Sequence, residues 1–367
     1  MTPSLDSTEP HPAPQYGRGF WYETWQQFRR RRLSLAALVY VVLMALVAIF
    51  SPAIAGTKPV VCKYKGHIYF PALGYFNLRW ENPVFRNDRF RDVYPENLKQ
   101  KDPDSWAIWP LVYQDPRRRV RKGEWPNQPA NLTQHFGSPN RYNWFGTNRA
   151  GVDVFAQMVH GTRTALLVGF VSMGIAGAIG ILVGALAGYL GGWVDMLLSR
   201  VIEVVMCIPS LVLILALLAV LERPTIWHLM AVLGVTNWTG IARLTRGEFI
   251  RLREADFVTA ARALGVDQFT IMYRHILRNA MAPVLVPITF GIASAIIIES
   301  ALSYLGFGAP PPNPSWGTLL NDGRSNMQMW WLIVFPGAAI FVTVLAYNLI
   351  GEGLQEATDP RLKQSAH

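Results

Sequence analysis

The sequence predicts an all-α polytopic membrane protein with six transmembrane helices and a large extracytoplasmic insert after the first. Three observations carry this. Charged residues make up only 16% of the 367 residues, against about 25% in soluble domains. The hydrophobic residues, 51% of the chain, are gathered into blocks of membrane-spanning length, roughly 20 residues each. Basic residues cluster beside alternate ends of those blocks, as topology in a bilayer requires.

Residues 1–19 are rich in Pro, Ser and Thr and read as a disordered tail. Trp21, Trp25 and Phe28 then recur at i, i+4 and i+7, followed by Arg29 to Arg32. Aromatics over a basic cluster suit a helix lying at the cytoplasmic interface, and the alternative is an unstructured basic anchor. The first span runs from Leu33 to Phe50. It is longer than a signal-peptide core and more spans follow, so cleavage at Ala53-Ile54-Ala55 is not expected. Residues 52–163 hold no span. They are polar, aromatic and basic, including Arg117-Arg118-Arg119-Val120-Arg121-Lys122. Segments this long escape the positive-inside rule, so the insert is placed outside. It reads either as a contact surface for an external partner or anionic substrate, or as a solubilising cap.

The second span, Ala165 to Leu190, carries Gly180, Gly184 and Gly188, with Gly192 just beyond. Glycine at every fourth position makes a smooth stripe for close helix approach. The third span begins near Arg200 and ends near Leu221, and Glu222-Arg223-Pro224 is a short outer turn. The fourth span covers Ile226 to Leu244, the fifth Met281 to Phe307 and the sixth Trp331 to Ile350. Pro310-Pro311-Pro312 lies in the outer loop between the last two. Short inner segments carry Arg29 to Arg32, Arg200 and six arginines from Arg246 to Arg278, whereas short outer turns carry only Arg223 and Arg324. The resulting division is a cytoplasmic tail and interfacial segment at 1–32, a first helix at 33–51, the insert at 52–163, a five-helix core at 164–351 with a cytoplasmic loop at 245–280, and a cytoplasmic tail at 352–367.

Within that loop, Arg253-Glu254-Ala255-Asp256-Phe257-Val258-Thr259-Ala260-Ala261-Arg262-Ala263-Leu264-Gly265 predicts a short amphipathic helix. Phe257, Ala260, Ala261 and Leu264 form one apolar face, with Arg253, Asp256, Thr259 and Arg262 around the other side. Gly265 suits a helix C-terminus. A helix this short cannot span a bilayer but fits a groove on a soluble partner.

The formal charge of +10 follows membrane topology and does not point to nucleic acid. Cys62 and Cys207 lie at different membrane levels, which excludes an internal disulfide, and they give no metal spacing. The sequence shows no Walker A loop, no His-Glu-x-x-His pair and no nucleophile elbow. ATP hydrolysis, catalysis and a bound cofactor or metal are not expected of this chain. Two acids fall within spans. Glu203 lies three residues from Arg200 and reads as an interfacial pair. Glu299 reads as a pathway or gate group, or as a structural pair with a neighbouring subunit. Asn237 and Pro209 read as adjustments of helix geometry.

Asp256 to Gly265, with His275-Ile276-Leu277, resembles the EAA loop of ABC-importer permeases, in the form of the dipeptide/oligopeptide branch. Gly146-Thr147-Asn148 through Phe155 with Gly161-Thr162-Arg163 resembles that branch's segment before the second span. Ser300 to Gly308 with Pro314-Ser315-Trp316-Gly317 resembles its fifth-span exit, and Gly351 to Leu354 with Asp359-Pro360-Arg361-Leu362 its C-terminus. The long insert is similar to that of Yej-type permeases, subunits of a peptide importer that also takes up microcin C. The family's Glu is Thr259 here, the Pro of its Leu-Pro pair is Arg278, and Asn148 and Val152 replace a common Asp and Arg. The resemblance implies a type I permease fold in the bacterial inner membrane, with both termini cytoplasmic. It implies a heterodimer with a second permease. ATP and Mg belong to partner ABC ATPase subunits or one fused ATPase. A solute-binding protein delivers peptide, and the helix at 253–265 couples to the ATPase. On the residues alone, an ion-driven secondary transporter and a membrane receptor using the insert stay open as rivals.

Overall fold

The computed structural model describes residues 20–77, 80, 82, 85, 94–120, 137–222, 224–308 and 313–358. The tail at 1–19, Arg121 and Lys122, Arg223, Pro310 to Pro312 and Asp359 to Lys363 lie outside these residues. The order is α1 (Phe20–Arg30), α2 (Arg32–Ile54), β1 (Val61–Tyr64), β2 (His67–Tyr69), α3 (Tyr94–Lys101), β3 (Trp106–Ile108), α4 (Val154–Leu190), α5 (Gly192–Met206), α6 (Ser210–Ala219), α7 (Ile226–Thr236), α8 (Trp238–Arg253) and α9 (Asp256–Ala263). Then come α10 (Gln268–Tyr304), α11 (Trp316–Arg324) and α12 (Trp331–Thr358).

Four helices, α2, α4, α10 and α12, are long and apolar enough to cross a membrane, and a fifth span results if α5 and α6 are joined. The chain leaves regular helix within two of the six expected spans. Between α5 and α6 the chain bends by 83° at Pro209, which has no amide hydrogen and whose ring collides with the preceding turn. The expected fourth span is divided between α7 and α8. They meet at Asn237, which leaves helical geometry at φ −102°, ψ 9°, and whose Nδ2 donates to the Leu233 carbonyl at 2.7 Å.

Two helices begin well before their expected spans. Helix α4 begins at Val154 rather than Ala165, because Asp153 caps it, its Oδ1 accepting from the Ala156 amide at 2.7 Å. The Gly146 to Asp153 segment is a compact turn that delivers this cap. Asn148 Oδ1 accepts from the Ala150 and Val152 amides at 2.9 and 3.0 Å, and Asn143 Nδ2 donates to Asp153 at 2.7 Å. Helix α10 enters its span without a break, passing through a π-helical stretch at Ile271–Leu277. Arg278 keeps helical geometry, at φ −57°, ψ −39°.

The bundle is centred on α4, packed against α8, α7, α10 and α2. The glycine stripe sets backbone against backbone. A Cβ at Gly180 would lie 2.8 Å from the Trp238 carbonyl oxygen, at Gly184 2.4 Å from that of Ala242, and at Gly188 2.6 Å from that of Arg246. Successive carbonyls of α8 thus rest directly on the α4 backbone. Gly192, at φ +54°, is a turn residue outside the stripe. Lipid supplies no hydrophobic drive between spans, so dispersion at such contacts holds helices together.

The two ends of the chain meet. Phe28 of α1 is buried. Arg31 pairs with Glu352 and Glu356 of α12 at 3.6 and 3.1 Å, and Ser34 Oγ donates to the Leu349 carbonyl at 2.8 Å. Trp25 stacks on Phe28 and is half exposed, which agrees with an amphipathic helix rather than an unstructured anchor.

The insert departs from all-α character. It contains an antiparallel sheet of order β2-β1-β3 over a small core of Cys62, Tyr64, Phe85 and Leu98. Cys62 is buried and Cys207 exposed, both as free thiols. A parallel bridge between Ala55 and Val112 ties the insert to the end of α2.

The stripe gives a test. Gly184→Ala forces a methyl onto the Ala242 carbonyl and costs about 1–3 kcal/mol. Gly174→Ala, on the same helix with nothing within 4 Å of the added carbon, leaves thermal stability in detergent unchanged. Equal melting temperatures for the two variants would rule out the stripe as the packing seam.

Candidate functional site

Arg251 at the end of α8 and Gln355 and Thr358 at the end of α12 line one cavity of about 1020 Å³, with Gly240, Arg243 and Pro287. The α8–α9 region and both described chain ends therefore share one end of the bundle. At this end α9 is held by short links. Arg253 Nη1 donates to the Tyr189 carbonyl at the end of α4, 3.2 Å away, and its other nitrogen lies 3.8 Å from Glu254. Arg246 grips Asp195 of α5 with two nitrogens, Nη2 at 2.6 Å. Gly265, at φ +77°, closes α9, and the Val266 amide returns to the Ala261 carbonyl at 3.1 Å, as in a Schellman cap.

The expected apolar face of α9 is rotated. Val258 and Ala261 are buried, packed with Phe249, Leu252, Ile271 and Ile276. Burying one valine contributes about 1.5–3 kcal/mol, so this inner face seats the helix. Ala261 therefore belongs to the fold and not to an outward surface. Phe257, Ala260 and Leu264 stay exposed, Phe257 at 40% and Leu264 at 83%. Asp256, Arg262 and Glu254 are exposed around them, and Gly265 follows. Thr259 donates to the Ala255 carbonyl at 3.5 Å. It lines a polar cavity of about 700 Å³ with Tyr189, Arg253, Glu254, Arg262 and Gln268.

Sequence reasoning missed part of this surface. Phe269 and Tyr273, at the start of α10, are stacked 6.4 Å apart and are both about two-thirds exposed. Like Phe257 and Leu264, they are exposed apolar side chains of the segment that follows α8. Their i, i+4 spacing was the available signal. Asp267 fixes this turn by accepting from the Phe269 and Thr270 amides at 3.0 and 2.9 Å and from the Thr270 hydroxyl at 2.7 Å. These donors hold its carboxyl below the usual carboxylate range.

At the opposite end lies a cavity of about 960 Å³ between the insert, the end of α6, the exit of α10 and α11, with Arg117, Gln157, Ser303, Asn313 and Asp322 in its wall. Glu299 does not line it. That residue is 1% exposed, and accepts from Ser303 Oγ at 2.7 Å and Ser300 Oγ at 3.4 Å. Ser315 Oγ, the cap of α11, adds a link to Ser303 at 3.2 Å. Glu299 is enclosed by serines of its own chain, one layer behind the wall. Glu203 does pair with Arg200, at 2.7 Å on an exposed surface.

The glycines at 180, 184 and 188 serve packing. None of the described residues form a metal-binding group of three or more His, Cys, Asp or Glu.

Residues 180–364 match the family model of binding-protein-dependent transport system inner membrane components. The chain belongs to that family. It is a permease component of an ABC importer. Residues 19–68 match a second model, the N-terminal transmembrane domain of oligopeptide transport permease C. Among relatives, the inner membrane ABC transporter permease protein YejE of Escherichia coli is 35% identical over 92% of this chain and 96% of its own length. The peptidoglycan transport system permease protein YejE of Agrobacterium fabrum is 31% identical over 92% of each. The dipeptide transport system permease protein DppC of Alkalihalophilus pseudofirmus is 39% identical over 64% of this chain and 76% of its own. The permease family thus accounts for the helical bundle at both ends of the sequence, and the Yej relatives extend across the insert as well.

The serine enclosure is testable in this permease. Glu299→Leu removes the acceptor for two buried hydroxyls and costs about 1–3 kcal/mol, whereas Glu299→Gln keeps an acceptor and costs less. Thermal unfolding of the purified protein orders the variants. Glu299→Leu matching the wild type would exclude a structural role.

Proposed function

We propose that this permease crosses the inner membrane six times and forms half of the translocation path of a peptide importer. The two broken pairs, α5/α6 and α7/α8, serve as the third and fourth crossings. The end bearing α9 and both termini is cytoplasmic. Arg29 to Arg32 and the arginines from Arg246 to Arg278 gather there, which supports this orientation. The insert, residues 52–163, then lies outside.

The observation that carries the reading is the exposure of the apolar residues Phe257, Ala260, Leu264, Phe269 and Tyr273 in the segment that follows α8. Exposed apolar residues of this kind, with Asp256 and Arg262 among them, suit a groove on a soluble partner. In an ABC importer that partner is an ATPase subunit, which holds ATP and Mg. Hydrolysis there rocks the spans through alternating access, with a second permease completing the path. An external solute-binding protein delivers the substrate to the face carrying the insert. Peptide is the substrate class that the names of the relatives suggest, and peptide antibiotics such as microcin C fall within it.

Ala260→Glu places a charge in the docking face, where burial without a partner is costly. ATP-dependent peptide uptake by the reconstituted importer falls at least about tenfold, while the melting temperature of the permease is unchanged. Wild-type uptake by this variant would remove the docking role. Peptide uptake by this chain without an ATPase would overturn the importer reading.

A further inference from the structure

The insert brings a guanidinium to the outer cavity with no ion-paired carboxylate among the described residues. Arg117 follows β3 and is fixed through its backbone, its amide donating to Asp115 Oδ1 at 2.8 Å. Asp115 is already committed. Its Oδ1 also accepts from the Arg118 amide at 3.2 Å, and its Oδ2 from Thr57 Oγ1 at 2.9 Å and the Tyr75 hydroxyl at 2.8 Å.

The Arg117 side chain donates through Nη2 to the Tyr75 carbonyl at 2.9 Å and lies over the Tyr75 ring at 5.6 Å. Its Nε is buried and meets no acceptor among the described residues. No described carboxylate lies within ion-pair distance of its guanidinium. Arg163 of α4 lies over the next ring, Phe76, at 4.4 Å, and it too has no described ion pair. Two guanidiniums are thus stacked on consecutive aromatic residues, and Arg117 opens on the cavity shared with Ser303, Asn313 and Thr318. The acid in that wall, Asp322, has Arg149 as its charged neighbour.

A partly buried guanidinium without a counter-charge is costly, and its planar fork fits a carboxylate. We propose that Arg117, with Arg163 behind it, is an anion subsite at the outer mouth that receives the C-terminal carboxylate of an incoming peptide. The proposal rests on the peptide-importer reading and makes the insert part of the path rather than a cap. Arg117 is its binding residue. Arg163 positions the subsite by adding positive potential.

The test compares a tripeptide with its C-terminal amide in proteoliposomes containing the complete importer, ATP and saturating solute-binding protein. Arg117→Gln lowers the uptake rate of the free acid roughly tenfold, the value of a charge-assisted hydrogen bond. The amide rate stays the same, and Arg117→Lys restores part of the acid rate. An unchanged acid rate overturns the proposal. So does an equal fall for both peptides, which would mean that Arg117 contacts the delivery protein or a lipid headgroup, or merely holds the insert in place. If the wild-type importer moves neither peptide but another solute, the substrate reading fails, and the subsite with it. Normal wild-type acid uptake with an insensitive variant removes the subsite alone.

Discussion

The contact of α4 with α8 is the constraint on which the rest of the structure depends. Three glycines let the α8 carbonyls of Trp238, Ala242 and Arg246 rest on the α4 backbone. A helix pair held backbone to backbone has little freedom to slide, because any shift brings a neighbouring side chain into the seam. That fixed pair sets both lower links. The Asp195–Arg246 clamp and the Arg253–Tyr189 bond close over the end of the seam. The seating of α9 on Phe249 and Leu252 then follows from where α8 stops.

The two ends of the bundle are built by opposite means. At the α9 end, helices stop at caps and leave an apolar surface exposed. At the other end, polar side chains are turned inward. Ser315 caps α11 and faces Ser303 and Glu299, and Trp316 is buried with its ring nitrogen on the Met158 carbonyl at 3.1 Å. A charged residue deep in a bundle is therefore compatible with a purely internal role when hydroxyls from the same chain satisfy it.

Much of this was legible in the sequence. The i, i+4 glycines announced the seam, since only a close backbone approach rewards that spacing. The Asp256–Gly265 segment announced a short capped helix. What stayed hidden depended on distant partners. The face of α9 could not be settled from its period, because Val258 and Ala261 face Ile271 and Ile276, which arrive only after the Gly265 turn. The length of α4 was masked by Gln157, His160, Thr162 and Arg163, polar residues that are half-buried or buried against the insert and α11. The surroundings of Glu299 required Ser315 from another element. The sheet of the insert left little trace because its strands are only three or four residues long.

Helix α10 runs unbroken for 37 residues, about 55 Å at 1.5 Å per residue. One end carries the Phe269–Tyr273 aromatic pair and the other the serine enclosure of Glu299. Such a rod is a lever. A tilt of about 10° around its midpoint moves each end by about 5 Å in opposite directions, taking half of that length as the arm. With proline in place of Arg278, the joint would sit near the aromatic end and absorb part of the stroke. Here the only prolines within the rod are Pro283 and Pro287, nearer its middle, so the aromatic end moves together with the first turns of the span.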